Sequence, residues 1–358
     1  MLRALGYELV ERFHLNEGHA SLLTLGLLQE EAKKGNRSRI EMGDLAAVRE
    51  RCIFTTHTPV PAGHDQFSPP LFARILGFRE DLSDLFCPDV ALRVFGQRQS
   101  NGDHSSFQDG NAVLNMTHLA LNTSRYVNGV AKRHGEISRL MFAGYQIDAI
   151  TNGVHVATWT SKPFQELYDH YIPDWRQDKF SLRYAESIPK DEVWAAHTRA
   201  KADLLRYVHS QTKLKIDPDI LTIGFARRFT AYKRPDLIFG DAQRLERICR
   251  ETGRLQIICA GKAHPSDHDG KLLIQRICEI REMLKDKLPI VYLTNYDMDL
   301  AQLLVSGVDI WLNTPQPPLE ASGTGGMKAA VNGIPSLSVL DGWWIEGHIR
   351  GRYRMGCR

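Results

Sequence analysis

Five apolar runs between residues 221 and 340 constrain this chain more than any other feature: Leu221–Ala226, Leu255–Ala260, Ile290–Leu293, 308–312 and 336–340. Each is strand-length, and helix-length segments separate them. A strand that is apolar throughout must be covered on both faces, and crossover helices between parallel strands supply that cover. The expectation is a doubly wound α/β domain. Ligands of such sheets bind beyond the carboxyl ends of the strands, and here each of those ends carries polar residues. A length of 358 residues with 43% hydrophobic content implies two domains rather than one.

The richest chemistry lies in residues 317–333, PPLEASGTGGMKAAVNG. Gly323, Gly325 and Gly326 stand within five residues of Lys328, just ahead of Ala329, Ala330 and Val331, which continue as a short helix until Gly333 stops it. Glycines leading into a helix let an oxyanion approach free N–H groups, and the helix dipole favours negative charge there. A Walker loop would need Gly-Lys-Ser/Thr, but Met327 and Ala329 flank the lysine; a dinucleotide fingerprint would need glycine at 328. The remaining chemical reading is a lysine working beside a bound phosphate, for which pyridoxal phosphate is the obvious candidate. A plain turn before a helix is the other reading this composition allows.

Other segments carry paired readings. Arg227, Arg228, Lys233 and Arg234 place four cations within eight residues after the first strand of the doubly wound set. Such a run is usually a solvated face, but here it interrupts a buried strand and its helix, where cations are costly without anions. Residues 51–56 read as a buried strand, and the proline-rich loop after it presents His57 at a strand end; a lone loop histidine is more often structural. Asn152 and Gly153 form a turn, with Trp159 seven residues after the asparagine. His264 and His268 invite a metal reading that Pro265 opposes, so no metal is expected. The residues before His14 look helical, as do residues 22–34 and 112–125.

The 45 Lys and Arg against 42 Asp and Glu leave a net charge of only +3, which gives no reason to invoke nucleic acid or a membrane surface. Six cysteines show no CxxC spacing, so neither a disulfide framework nor a zinc ribbon is expected. No apolar run approaches a membrane span and Glu8, Glu11 and Arg12 break up the N-terminus, so a cytoplasmic protein is expected.

The segment EASGTGGMKAAVNG resembles the cofactor-lysine segment of the α-glucan (glycogen/starch) phosphorylases, and the following LDGWWIEGH resembles their short microbial branch. HLN-x-GH at 14–19, VNGVA at 127–131, TNG at 151–153, the basic run ending Tyr-Lys-Arg, GKAHP at 261–265 and the Asn295-Tyr296 pair are similar as well. This resemblance implies two doubly wound Rossmann-like domains of the GT-B type, the first incomplete. Residues 1–150 would be the C-terminal part of the N-terminal domain. Residues 151–358 would be the cofactor-binding domain, incomplete at its end.

The implied activity is retaining phosphorolysis of α-1,4-glucan or maltodextrin by inorganic phosphate, giving glucose 1-phosphate. Pyridoxal 5′-phosphate would be attached to Lys328, its phosphate exchanging a proton with the substrate phosphate. Arg228 and Lys233 map onto the family's substrate-phosphate ligands; Arg227, Thr324, Gly323, Trp159 and Tyr296 map onto cofactor contacts. His57, Asn152, Glu320 and the Ser322-Gly323 backbone map onto sugar contacts. Residues 126–134 carry no separate catalytic expectation; core packing and domain contact account for them. Arg227 stands where better-known members have lysine, and Asp297 where the long-chain members have a basic residue, so the contact at 297 does not carry over. A homo-oligomer is compatible with this picture, and no nucleic-acid or membrane partner is expected. Two alternatives remain: a nucleotide-sugar glycosyltransferase of the glycogen synthase type, which needs no cofactor lysine, and an inactive or glucan-binding remnant. The second is motivated by an expected missing upstream portion and by the abruptly basic ending at 349–358, which reads as a shifted frame.

Overall fold

The computed structural model describes residues 3–7, 9–60, 63–75, 86, 88–97, 113–349 and 356–357. Expectations touching Pro61, Ala62, Ala112, residues 350–355 and residue 358 lie outside them. The chain is a mixed α/β protein with parallel sheets, divided into two compact units: Met1–Asn152 with Pro318–Ser322, and Gly153–Pro317 with Gly323–Arg358.

The first unit holds four parallel strands in sequential order, β1 (Phe13–Asn16), β2 (Cys52–Thr55), β3 (Tyr126–Gly129) and β4 (Asp148–Ala149). Helices Leu22–Lys34 and Met42–Arg51 connect β1 to β2, and Lys132–Met141 connects β3 to β4. Leu25, Leu28, Leu45, Val48 and Leu119 bury one core, while Leu15, Phe54, Leu121 and Val127 bury another. Three local expectations shift here. Among the described residues before His14, helix is confined to the short turn Arg3–Leu5; Leu5 and Leu9 are exposed rather than packed on a core, and one turn does not stand alone. Phe13, expected within a helix before His14, instead begins the strand Phe13–Asn16. The helix expected over 112–125 occupies Met116–Thr123, capped by the Asn115 side chain.

In the second unit six strands run parallel: β5 (Leu221–Ala226), β6 (Leu255–Ala260), β7 (Ile290–Leu293), β8 (Ile310–Asn313), β9 (Ser336–Val339) and β10 (Gly356–Cys357). Their spatial order is β10-β9-β8-β5-β6-β7, so the winding direction reverses between β5 and β8. Alternate residues divide between two covered faces. Ile223, Phe225, Leu255 and Ile257 join the core beneath helices Ala242–Thr252 and His268–Leu284, whereas Ala226, Ile258 and Ala260 join the core beneath Lys190–Thr212 and Met298–Gly307. The strand expected over 308–312 begins two residues late. Val308 caps the preceding helix, and the Asp309 carboxylate is taken up by Lys201 at 2.7 Å, His197 at 2.7 Å and the Thr222 amide at 2.6 Å.

Candidate active site

The reversal between β5 and β8 places the chain leaving each strand beside the other at the carboxyl edge, the usual location of a ligand crevice in a parallel sheet. Beyond β5, the Arg227 amide donates to the Ala260 carbonyl at 3.2 Å and the Phe229 amide to the Lys262 carbonyl at 2.9 Å, so the basic loop continues along the end of β6. Phe229 anchors it, fully buried in the core. The four cations then meet four different environments. The Arg227 guanidinium donates to Asn313 Oδ1; Asn313 Nδ2 donates to Ser338 Oγ at 2.9 Å, and Ser338 Oγ to the Val339 carbonyl at 2.9 Å. That chain of bonds crosses the ends of β5, β8 and β9. Arg228 is exposed. Lys233 is buried, its Nζ 4.5 Å from the Tyr232 ring centroid. Arg234 adopts a φ of +43° and donates to the Thr314 and Pro315 carbonyls, which makes it a structural tie between two loops.

The chain enters the lysine helix, Thr324–Ala330, through Gly323 in the left-handed region, φ +87°. Trp343 Nε1 holds the Gly323 carbonyl at 2.9 Å. A Cβ on Gly325 would lie 3.0 Å from the Trp311 indole, so the helix start runs tight against that ring. Lys328 is half-buried, with Nζ 3.7 Å from the Trp159 ring centroid. Burial lowers its pKa, and among the described residues no carboxylate pairs with it. Tyr296 packs on the same core as Trp159, and its hydroxyl reaches the Ala226 carbonyl at 3.5 Å. Burial raises the Tyr296 pKa, opposed by the Arg227 charge.

These features fit pyridoxal 5′-phosphate. An amine half-shielded from water, with no carboxylate paired to it among the described residues, is shifted towards the neutral form that attacks an aldehyde. After Thr324, Gly325 and Gly326 leave the helix start bare of side chains, which suits a phosphate.

The profile of the carbohydrate phosphorylases matches residues 9–350. The chain belongs to that family. It is 39% identical to the maltodextrin phosphorylase of Thermococcus litoralis over 97% of its own length and 43% of the relative's. It is 36% identical to the glycogen phosphorylase of Aquifex aeolicus over 94% of its length and 51% of the relative's. The glycogen phosphorylase of Mycobacterium tuberculosis strain CDC 1551 / Oshkosh is 35% identical over 94% of this chain and 41% of that protein. The chain therefore spans about half the length of the curated relatives it matches.

The remaining expected site residues lie in the first unit, where Glu17, which sequence reasoning passed over, holds the loop of one of them, His57. Glu17, held at φ +75°, accepts from the His57 amide at 2.7 Å, the Thr58 hydroxyl at 3.0 Å and the Gly18 amide at 2.9 Å. Its carboxylate thus fixes the loop that presents His57. Burial lowers the His57 pKa, with Glu17 pulling upward and His14 and His19 pushing down, so the ring is neutral near pH 7; its Nε2 has no hydrogen-bond partner among the described residues. The Asn152 amide is tied to the Val130 carbonyl at 3.0 Å. Glu320 and Ser322, both buried, also belong to this unit, so the stretch 317–333 divides at Ser322 and Gly323. Asn128 and His134 are buried and bonded within the sheet region, which accounts for the VNGVA segment as core. In the GKAHP loop, His264 Nδ1 meets Ser266 Oγ at 2.6 Å.

Within the second unit, the structure brings Lys328 to Trp159, and Arg227 to Tyr296 and Asn313. Asn313, Asn332 and Trp343 were missed as well as Glu17. Their only sequence signal was adjacency to a strand end, to the lysine helix or to the GWW segment.

Proposed function

We propose that this chain carries the catalytic centre of a retaining α-1,4-glucan phosphorylase built on two doubly wound Rossmann-like units of the GT-B type, acting on glycogen or maltodextrin in the cytoplasm. The carrying observation is the Lys328 amine, half-buried against the Trp159 indole and without an acidic partner among the described residues, behind a glycine lead-in. A glucosyl transfer that uses only hydrolytic carboxylates would give such a lysine nothing to do.

In this reading a phosphate oxygen forms a bond to the anomeric carbon as the glycosidic C–O bond breaks. The proton passes to the departing 4-hydroxyl, releasing glucose 1-phosphate and a shortened glucan. Bound at Lys328, pyridoxal 5′-phosphate would supply a second phosphate group able to give and take a proton at the substrate phosphate. Two like unit charges about 4 Å apart repel by roughly 4 kcal/mol at an effective dielectric of 20. Arg228 and Lys233 hold the substrate phosphate against that repulsion, and Arg227, Thr324 and the glycine amides hold the cofactor phosphate. Tyr296 and Trp159 limit water around the lysine. We assign sugar-hydroxyl recognition to His57, Asn152, Glu320 and the Ser322-Gly323 backbone; a neutral His57 suits a hydroxyl partner better than a phosphate.

An absorbance spectrum with and without added pyridoxal 5′-phosphate, followed by borohydride fixation and peptide mapping, tests the reading. A cofactor band fixed onto Lys328, with glucose 1-phosphate formed from maltodextrin and phosphate, is expected. No uptake by the folded chain overturns it; uptake without product identifies a cofactor-binding remnant.

A further inference from the structure

Trp159 sits at the end of the single helical turn Val156–Trp159. One turn fixes several dihedrals for one hydrogen bond, so it needs outside support to hold a shape. Side-chain amides from elsewhere in the second unit provide that support. Gln302 Nε2 donates to the Thr158 carbonyl at 3.0 Å, Gln165 Nε2 to the Thr160 carbonyl at 2.7 Å, and Asn332 Nδ2 to the Trp159 carbonyl at 2.8 Å.

Asn332 does more than the two glutamines. Its Nδ2 also donates to the Lys328 carbonyl at 2.9 Å, and its Oδ1 accepts from the Ser161 amide at 2.7 Å. The side chain is fully buried, so its bonds have no competition from water. An asparagine that merely finished its own helix would bond locally. Here two of the three bonds reach across 171 and 173 residues of sequence to the segment bearing Trp159, and the third returns to the lysine residue itself. The side chains carried by those two segments are the pair that meet, amine over indole face, at 3.7 Å.

We propose that Asn332 is a positioning residue that locks the Trp159 turn to the Lys328 helix and so holds the indole face against the lysine amine. This rests on the reading of Lys328 as the cofactor-bearing lysine. The indole's cover withholds water from the amine and favours its neutral, nucleophilic form. Loosening the lock lets water in, and the charged form regains ground.

The test reads the amine directly and needs no cofactor. Reductive methylation of the 358-residue chain with 13C-formaldehyde gives each lysine amine an NMR signal, and Lys328→Arg assigns the signal of interest. In the wild type that signal titrates below the bulk of the lysines. In Asn332→Ala its midpoint moves up towards theirs, with far-ultraviolet circular dichroism preserved. Gln302→Leu, which loosens the same turn at Thr158 without touching the Lys328 carbonyl, leaves the midpoint nearer the wild-type value. A midpoint unmoved in Asn332→Ala, even with a lowered melting temperature, reduces Asn332 to a structural residue and overturns the proposal; so does an equal shift in Gln302→Leu. Should Asn332→Ala not fold, the smaller polar replacement Asn332→Ser is judged by the same criterion. Failure of pyridoxal phosphate uptake is read separately, in the borohydride experiment, and leaves this titration interpretable.

Discussion

Gly261→Ala tests how the basic loop is held. A Cβ at residue 261 would lie 2.1 Å from the Arg227 carbonyl oxygen and 2.4 Å from two carbons of the Phe229 ring. Comfortable heavy-atom contacts are near 3.5 Å, so the overlap is about 1 Å or more at both neighbours. Neither can swing aside. One is backbone, and the other is a fully buried ring in the core below the sheet. Overpacking a core costs about 1–3 kcal/mol, and two immovable contacts put this substitution at the upper end, about 3 kcal/mol. In a domain of about 200 residues that lowers the melting temperature by about 6–12 °C. Relief must come from moving residues 227–229, so phosphate affinity, measured by titration calorimetry, falls together with stability. Gly43→Ala is the control. It lies inside helix Met42–Arg51 with open space at its Cβ position, and should be neutral or stabilising by up to about 1 kcal/mol. A Gly261→Ala protein that melts within about 1 °C of wild type and binds phosphate equally well would refute the claim that this contact sets the loop.

Three further expectations follow from buried and partly buried ionisable groups. Asp309→Ala leaves Lys201 buried without its carboxylate and His197 without its acceptor, which should cost about 3–5 kcal/mol in urea unfolding; a loss below about 1 kcal/mol would make the pair dispensable. Although burial alone would raise the Asp309 pKa, the hydrogen bonds from His197, Lys201 and the Thr222 amide outweigh it and hold it down. Burial pushes His118 and His134 down to about 4, from an ordinary 6.5. The unfolded chain therefore binds protons that the folded one refuses as pH falls below about 6.5, and stability declines until pH reaches about 4, by about 3 kcal/mol for each ring. Urea midpoints that are flat from pH 7 to 5 would contradict this. Glu17→Ala strips the acceptor from two backbone amides at a cost of about 1–3 kcal/mol. It should also lower the His57 midpoint in an NMR titration, because the Glu17 charge raises it; an upward shift would be the wrong sign.

Much of the second unit's architecture was legible, because a strand covered on both faces must be apolar at every position. Leu221–Ala226, Leu255–Ala260 and Ile290–Leu293 form strands with the expected limits. The strand expected from 308 failed by two residues because Val308 and Asp309 look like its beginning while serving as a helix cap and a buried anchor. The strand at Phe13–Asn16 was hidden for a related reason: its burial is mixed, and its partner β2 lies some forty residues away. In the basic run, charge was visible but its allocation was not. The sequence shows four equivalent-looking cations, whereas the structure exposes Arg228, buries Lys233 and spends Arg234 on backbone carbonyls.

By itself, then, the amino-acid order determined the apolar strands, the glycine-led lysine and the family's motifs, all of which are local patterns over a few residues. Only tertiary structure decided that Glu17 aims the His57 loop, that Asn313 takes Arg227, and that Asn332 joins the Trp159 turn to the Lys328 helix. Each of these is one polar side chain meeting backbone or a charge tens to hundreds of positions away. A buried hydrogen bond depends on distance and angle at its two ends, and the sequence between those ends carries no record of either.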